Sequence, residues 1–179
     1  MILGIEELLK LVKEKKLVEN LCERELKSPE GAGFDLRIGE IYEISKEGFL
    51  GITERQTPEG KLVARYEPQK RKVFVLKPRK YYLIKTIEKV NTPENILILF
   101  RPRSTLYRSG VMIFTGNVSP GYEGQLVFGM INFGPSNFKI ELGARVVHAM
   151  FFEIKGKANL YKGQWQKGRV FTRKKEKQI

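Results

Sequence analysis

From about Leu36 onward the chain is a succession of short apolar runs cut off by proline or glycine, and no other feature limits its fold as tightly. The runs are Arg37–Ile44, Lys72–Leu76, Tyr81–Val90, Ile96–Phe100, Val111–Phe114, Gln125–Asn132, Phe138–Leu142 and Ala144–Ile154, with breakers at Pro78, Pro93, Pro102, Pro120, Gly134-Pro135 and Gly143. Runs this short, bounded by turn formers, read as the strands of an all-β sandwich or distorted barrel. Ahead of them, Ile5–Lys16 puts Leu8, Leu9 and Val12 on one helical face and Lys10, Lys13 and Lys16 near the other, which predicts a short helix docked on a sheet. Gly48–Lys61 mixes turn residues with charges and reads as a hairpin or a mobile insertion.

A chain of 179 residues, 41% hydrophobic, fits one domain with a real core. The net charge of +13, from 33 basic and 20 acidic residues, is compatible with nucleic acid, an anionic membrane surface or a small polyphosphate. It is equally compatible with a solvated Lys- and Glu-rich surface of the kind found in proteins from hot environments. The single cysteine, Cys22, excludes an internal disulfide and a multi-cysteine zinc site. No stretch approaches the roughly 18 apolar residues of a membrane span, and Met1–Gly4 leads into the amphipathic segment, so a cytoplasmic protein with no membrane partner is expected. Arg169–Ile179, with Arg169, Arg173, Lys174, Lys175 and Lys177, reads as a basic tail after a single domain at 1–168.

One stretch looks like a site. Between Arg101 and Asn132 the chain packs polar, glycine-rich and aromatic residues between two strand-like runs. Arg101, Arg103 and Arg108 stand beside the hydroxyls of Ser104 and Thr105, and arginine is the side chain best suited to fork-like binding of phosphate. The link from Gly116 to Gly124 is rich in Gly and Pro, which permit tight turns and close approach of a ligand, and Tyr122 supplies a flat ring there.

Four segments in order resemble the trimeric dUTPase and dCTP deaminase superfamily. Gly31–Gly39, GAGFDLRIG, is similar to its A-G-Y-D-L segment; Arg103–Gly110, RSTLYRSG, to its R-S-S-L-x-R-x-G phosphate segment; Ser119–Gly124, SPGYEG, to the deaminases' D-P-G-[FWY]-x-G hairpin; and Tyr161–Gln166, YKGQWQ, to their Y-x-G-Q-Y-Q tail. The resemblance implies a distorted jelly-roll β-barrel with a short N-terminal helix, assembled as a homotrimer with sites at subunit boundaries, and a pyrimidine deoxynucleoside triphosphate bound with Mg²⁺. By the same resemblance, Arg103, Ser104, Thr105 and Arg108 hold the phosphates and Tyr122 stacks on the deoxyribose, beside Ser119. The backbone groups of Val127 and Phe128 read the pyrimidine edge. The tail at 159–168, with Tyr161 and Gln166, closes as a lid, and Asp35 lies near the triphosphate and reaches the metal through water. A surface or turn-capping role is the simpler reading of Asp35, because alternation turns it away from Phe34, Leu36 and Ile38. His148, the only histidine, replaces a family Gln near the phosphates; a satisfied strand histidine is the simpler reading there.

Two departures bear on activity. Ser119 stands where the family carries an Asp that contacts the sugar or the attacking water, and Gly129 stands where the deaminases carry a proton-moving Glu. A positioned acid or base is worth about 10²–10⁴ in rate, so the catalytic residue is unknown while phosphate binding survives. Cleavage of dUTP to dUMP and pyrophosphate is favoured over deamination of dCTP to dUTP, and a catalytically inactive nucleotide-binding regulator is the rival. The ordered motifs weigh against nucleic acid as the partner.

Overall fold

The structure, a computed structural model, describes residues 1–178. Its elements run α1 (Ile5–Lys15), β1 (Val18–Glu19), α2 (Glu23–Lys27), β2 (Phe34–Ser45), β3 (Phe49–Leu50), β4 (Glu54–Gln56), β5 (Glu59–Arg65), β6 (Val73–Leu76), β7 (Tyr81–Asn91), β8 (Ile96–Pro102), α3 (Ser104–Arg108), β9 (Val111–Phe114), β10 (Glu123–Asn132), β11 (Phe138–Glu141), β12 (Arg145–Glu153), a 3-10 turn (Gln166–Gly168) and β13 (Glu176–Lys177). Every strand-like run named from the sequence is a strand, with ends shifted by at most a few residues.

The main sheet curls in the order β8-β12-β2-β7-β10-β9, with β5 added to β2 and β1 to β7, giving the expected mainly β, barrel-like fold. Strand β2 is the hub: Phe34–Arg37 pair with β12, while Ile38–Glu43 pair with β7 and Glu40–Ser45 with β5. Side chains alternate along β7, so Tyr82, Ile84 and Val90 enter the core while Tyr81, Leu83 and Lys85 face outward. Inward residues of β2, β8, β10 and β12, among them Phe34, Leu36, Ile98, Met130 and Phe151, meet those of β7 in one core.

Helix α1 closes part of this core with Leu8 and Leu11. Glu6 and Glu7 in its first turn and Lys13 and Lys15 in its last complement the helix dipole. It ends where Lys16 turns left-handed, with the Lys16 N–H returning to the Val12 carbonyl and the Leu17 N–H to that of Leu11. Helices α2 and α3 were not foreseen, because five residues are too few to display helical periodicity. Strand β2 begins at Phe34 instead of Arg37 and is covered on both faces at its start, since Phe34, Asp35 and Leu36 are all buried.

Phe34 meets Phe151 edge to face at 5.9 Å across the hub. Phe34→Ala is therefore expected to lower unfolding free energy by about 3–5 kcal/mol, measured by denaturant titration; a loss near zero would place the core elsewhere.

Candidate functional site

The residues singled out in the sequence gather in two places. The first is a cavity of about 410 Å³ between the 115–122 loop, strands β7 and β10, and the C-terminal segment. Phe100, Leu126 and Phe128 form its apolar floor, with the rings of Phe100 and Phe128 edge to face at 5.0 Å. Leu83 and Val127 supply the sheet face, and Ser119 and Tyr122 come from the loop. Tyr161, Trp165, Arg169 and Val170 cover it, with Thr57 at the edge.

Tyr122 stands edge to face on Tyr161 at 5.4 Å and donates its hydroxyl to the Gln125 carbonyl at 2.8 Å. Burial pushes its phenol up to about 12, so the ring is a neutral wall. Among the described residues, Arg169 is the one charged side chain lining this cavity, and no carboxylate or imidazole lines it.

The cover is held down at both ends. Tyr161 N–H donates to the Pro120 carbonyl at 2.7 Å. The Gln166 amide grips the hairpin twice, donating to the Gly121 carbonyl and accepting the Glu123 N–H, each at 2.8 Å. Gly124 permits this contact: a Cβ there, at φ 145°, would run into the backbone of Lys167 and Gly168. Downstream, Thr57 and Thr172 exchange backbone-to-hydroxyl bonds of 3.0 and 2.9 Å, and β13 pairs with β4. The Arg55 guanidinium lies over the Trp165 ring at 4.7 Å, bonds Gln164, and shares Glu176 with Arg169. Gly48–Lys61 therefore forms a hairpin plus the start of β5 that anchors the C-terminal segment, and the residues at 169–178 are seated instead of trailing as a tail.

The second place is a buried charge cluster at the start of β2. Asp35, 1% exposed, receives Arg103 at 2.6 Å and Arg145 at 2.9 Å on one oxygen and meets His148 Nδ1 at 2.9 Å on the other. Its N–H donates to Glu25, itself fully buried and paired with Arg24. This corrects the reading of Asp35 as a surface or turn residue: the outer face of β2 is covered by α2 and these arginines, so alternation points Asp35 into a second interior. Burial alone would raise the Asp35 carboxyl, but the His148 hydrogen bond and the charges of Arg103, His148 and Arg145 win and hold it below the ordinary carboxylate value.

Beside the cluster, Arg103, Thr105, Lys139 and Arg145 line a second cavity, also about 410 Å³, with Glu141 on its rim. Ser104 and Arg108 lie exposed on α3. The two cavities share no lining residue, and about 13 Å of strand separates Ile98, bridged to Val118 by the first cavity, from Pro102 before α3. Ser119, Tyr122, Val127, Phe128 and Tyr161 thus belong to one place, and Arg103 and Thr105 to the other. His148 has the satisfied partner of the simpler reading, and Gln166 spends its amide on the hairpin. A side chain at Gly129 would have to displace Tyr81, because a Cβ there would fall on the Tyr81 hydroxyl, with Tyr81 Cζ at 2.8 Å.

With this geometry in hand, the chain is a β-barrel with a covered apolar cavity and a separate arginine cluster. Its residues 2–154 match the family model described as dCTP deaminase-like. The chain belongs to the dCTP deaminase-like family. It is 34% identical over 135 residues, 75% of this chain and 85% of the relative, to a Methanothermobacter thermautotrophicus protein named "Probable deoxyuridine 5'-triphosphate nucleotidohydrolase". It is 30% identical over 156 residues, 87% of each chain, to a Pyrococcus furiosus protein named dCTP deaminase. Among solved structures, the 2'-deoxycytidine 5'-triphosphate deaminase of Agrobacterium tumefaciens has the same fold, with a TM-score of 0.64 at 15% identity over 86% of this chain. The match spans about half of that solved chain, 46%.

Thr57, Arg169, Arg145 and Glu25 escaped the sequence reading. Thr57 and Arg145 enter through partners 115 and 110 residues away, while Glu25 and Arg169 bond near neighbours in segments that carry no strand pattern.

Two outcomes follow from this geometry. A carboxyl held low contributes stability in full above its ordinary titration range and loses it as pH falls through the folded value. Asp35→Asn is therefore expected to destabilise by about 3–5 kcal/mol at pH 7 and to flatten the fall in stability below about pH 4; thermal melts from pH 7 to pH 2 check both. Arg55→Ala is expected to loosen the cover by about 1–2 kcal/mol, seen as roughly 5- to 30-fold faster hydrogen exchange at 161–178 with the barrel strands unchanged.

Proposed function

We propose that this chain binds a pyrimidine deoxynucleoside triphosphate and, as its favoured reaction, cleaves dUTP to dUMP and pyrophosphate. The observation that carries the reading is the covered cavity: its size suits one nucleoside, and its loop is the one the sequence singled out. The rings of Tyr122, Tyr161 and Trp165 wall in sugar and base, and the cover held by Gln166 excludes water from them. Phosphates are the guests of Arg103, Ser104, Thr105 and Arg108. Because those residues lie away from the cavity on one chain, the working site takes its nucleoside wall from one copy and its arginines from another. A homotrimer meets that requirement. Outward-facing Met112, Phe114 and Phe133, 41%, 52% and 60% exposed, give such copies an apolar surface to share.

Magnesium accompanies the triphosphate in this reading, but Asp35 does not fit a ligand for it, directly or through water. Both of its oxygens are engaged by cationic side chains or the imidazole of His148, and the described residues hold no group of three His, Cys, Asp or Glu able to bind a metal. Asp35 holds Arg103 and Arg145 in place instead. The chain's own part in hydrolysis is then charge stabilisation by arginine and exclusion of bulk water, with the Ser119 hydroxyl as a weak orienting group. Deamination is disfavoured, since no acid or base lines the cavity and position 129 cannot carry one without moving Tyr81. The absence of a carboxylate from the cavity lining equally favours a second reading, a nucleotide-binding regulator without turnover.

Turnover of dUTP, dCTP, dTTP and UTP, followed through pyrophosphate and ammonia, tests the proposal. Pyrophosphate from dUTP is expected; ammonia from dCTP would overturn the preference, and tight binding without turnover would establish the second reading. Ser119→Asp places a carboxylate at the cavity and is expected to raise dUTP cleavage by about 10²–10⁴ with affinity changed less than tenfold.

A further inference from the structure

Outward positions of β7 and β10 carry the nucleoside cavity's sheet face, Leu83 and Val127, and Gly129 stands directly across from Leu83 in the strand pairing. There Gly129 is buried without a side chain of its own, because Tyr81 bends across it and lays its hydroxyl where a Cβ would stand. The Tyr81 ring is braced by Phe114, the cross-strand partner of Gly129, at 6.2 Å and a 30° tilt. Aromatic cover of a strand glycine explains the ring. The hydroxyl itself bonds no protein group among the described residues and is not among their buried unpartnered atoms, so it is open to a ligand. Burial raises the Tyr81 phenol, so it is a neutral O–H able both to donate and to accept.

We propose that Tyr81 is a specificity-determining residue: its hydroxyl meets the exocyclic group at the 4-position of the bound pyrimidine. The inference rests on the nucleoside reading of the cavity. Geometry carries it, since the hydroxyl lies over Gly129, the cross-strand partner of Leu83, and Leu83 and Val127 wall the cavity next to it. A base whose ring lies on that wall presents its edge toward Tyr81. The hydroxyl is versatile, donating to a 4-keto group or accepting from a 4-amino group, and being un-ionised it reads the base without taking a proton from water.

The test uses the whole chain and non-hydrolysable α,β-imido triphosphates of two deoxynucleosides, one with uracil and one with pyrimidin-2-one, which lacks the 4-substituent. Tyr81→Phe removes the oxygen alone, and Gly129→Ala, at a position whose backbone accepts a side chain, pushes the hydroxyl aside while keeping it in the protein. Both variants are expected to bind the uracil nucleotide about three- to tenfold more weakly and the pyrimidin-2-one nucleotide as wild type does. Unchanged affinity of Tyr81→Phe for the uracil nucleotide, with wild type preferring it over the corresponding adenine nucleotide, would overturn the role of Tyr81 and leave the cavity reading intact. A wild type that binds inorganic tripolyphosphate as tightly as either pyrimidine nucleotide would overturn the cavity reading and this role with it.

Discussion

A single buried carboxylate fixes the relation between three parts of the fold. Asp35 ties Arg103, at the end of β8, to Arg145 and His148 of β12, while its own N–H anchors Glu25 of α2. Charges removed from water in this way are tolerable only when each is matched. The matching puts Arg103 in a defined place at the foot of α3, whose Ser104 and Arg108 then point to solvent. The exposed polar face of α3 is in this sense a by-product of a satisfied interior charge.

The covered cavity depends on an opposite chemistry. The nucleoside cavity is apolar and aromatic, and it is finished by a C-terminal segment that pairs with the hairpin at Phe49–Gln56. Cover and insertion work as one device, since Arg55 stacks on Trp165 and shares Glu176 with Arg169. Among the described residues, no carboxylate or imidazole lines a cavity so built. In the proposed function, binding rests on this cavity and the arginines, and chemistry on arginine, on Ser119 and on what a neighbouring copy would contribute.

The barrel was legible because its strands announce themselves locally, by apolar runs between Pro and Gly. Ser119, Tyr122, Val127 and Phe128 were singled out mainly through the resemblance of one loop and the strand that follows it, and all four line one cavity. Asp35 was misplaced because its partners lie 68, 110 and 113 residues away, and alternation along β2 says nothing about what covers its outer face. The insertion was unreadable for a similar reason, as Arg55 finds Gln164 across 109 residues. Gly129 was visible as a missing acid, but the hydroxyl filling its space belongs to Tyr81 on the neighbouring strand, and only the register of β7 against β10 brings the two together.

The central claim is that each chain carries a nucleoside cavity and a set of phosphate arginines that serve different sites. Complementation between two defective copies tests it most directly. Val127→Trp fills the cavity, and Ser104→Ala with Arg108→Ala strips exposed phosphate contacts without touching Asp35. Each protein alone is predicted to lose binding of the uracil nucleotide. When the two are unfolded together in equal amounts and refolded, random assembly is predicted to restore about a quarter of the wild-type sites. Recovery of none would contradict the account and place cavity and arginines in the same site on one chain.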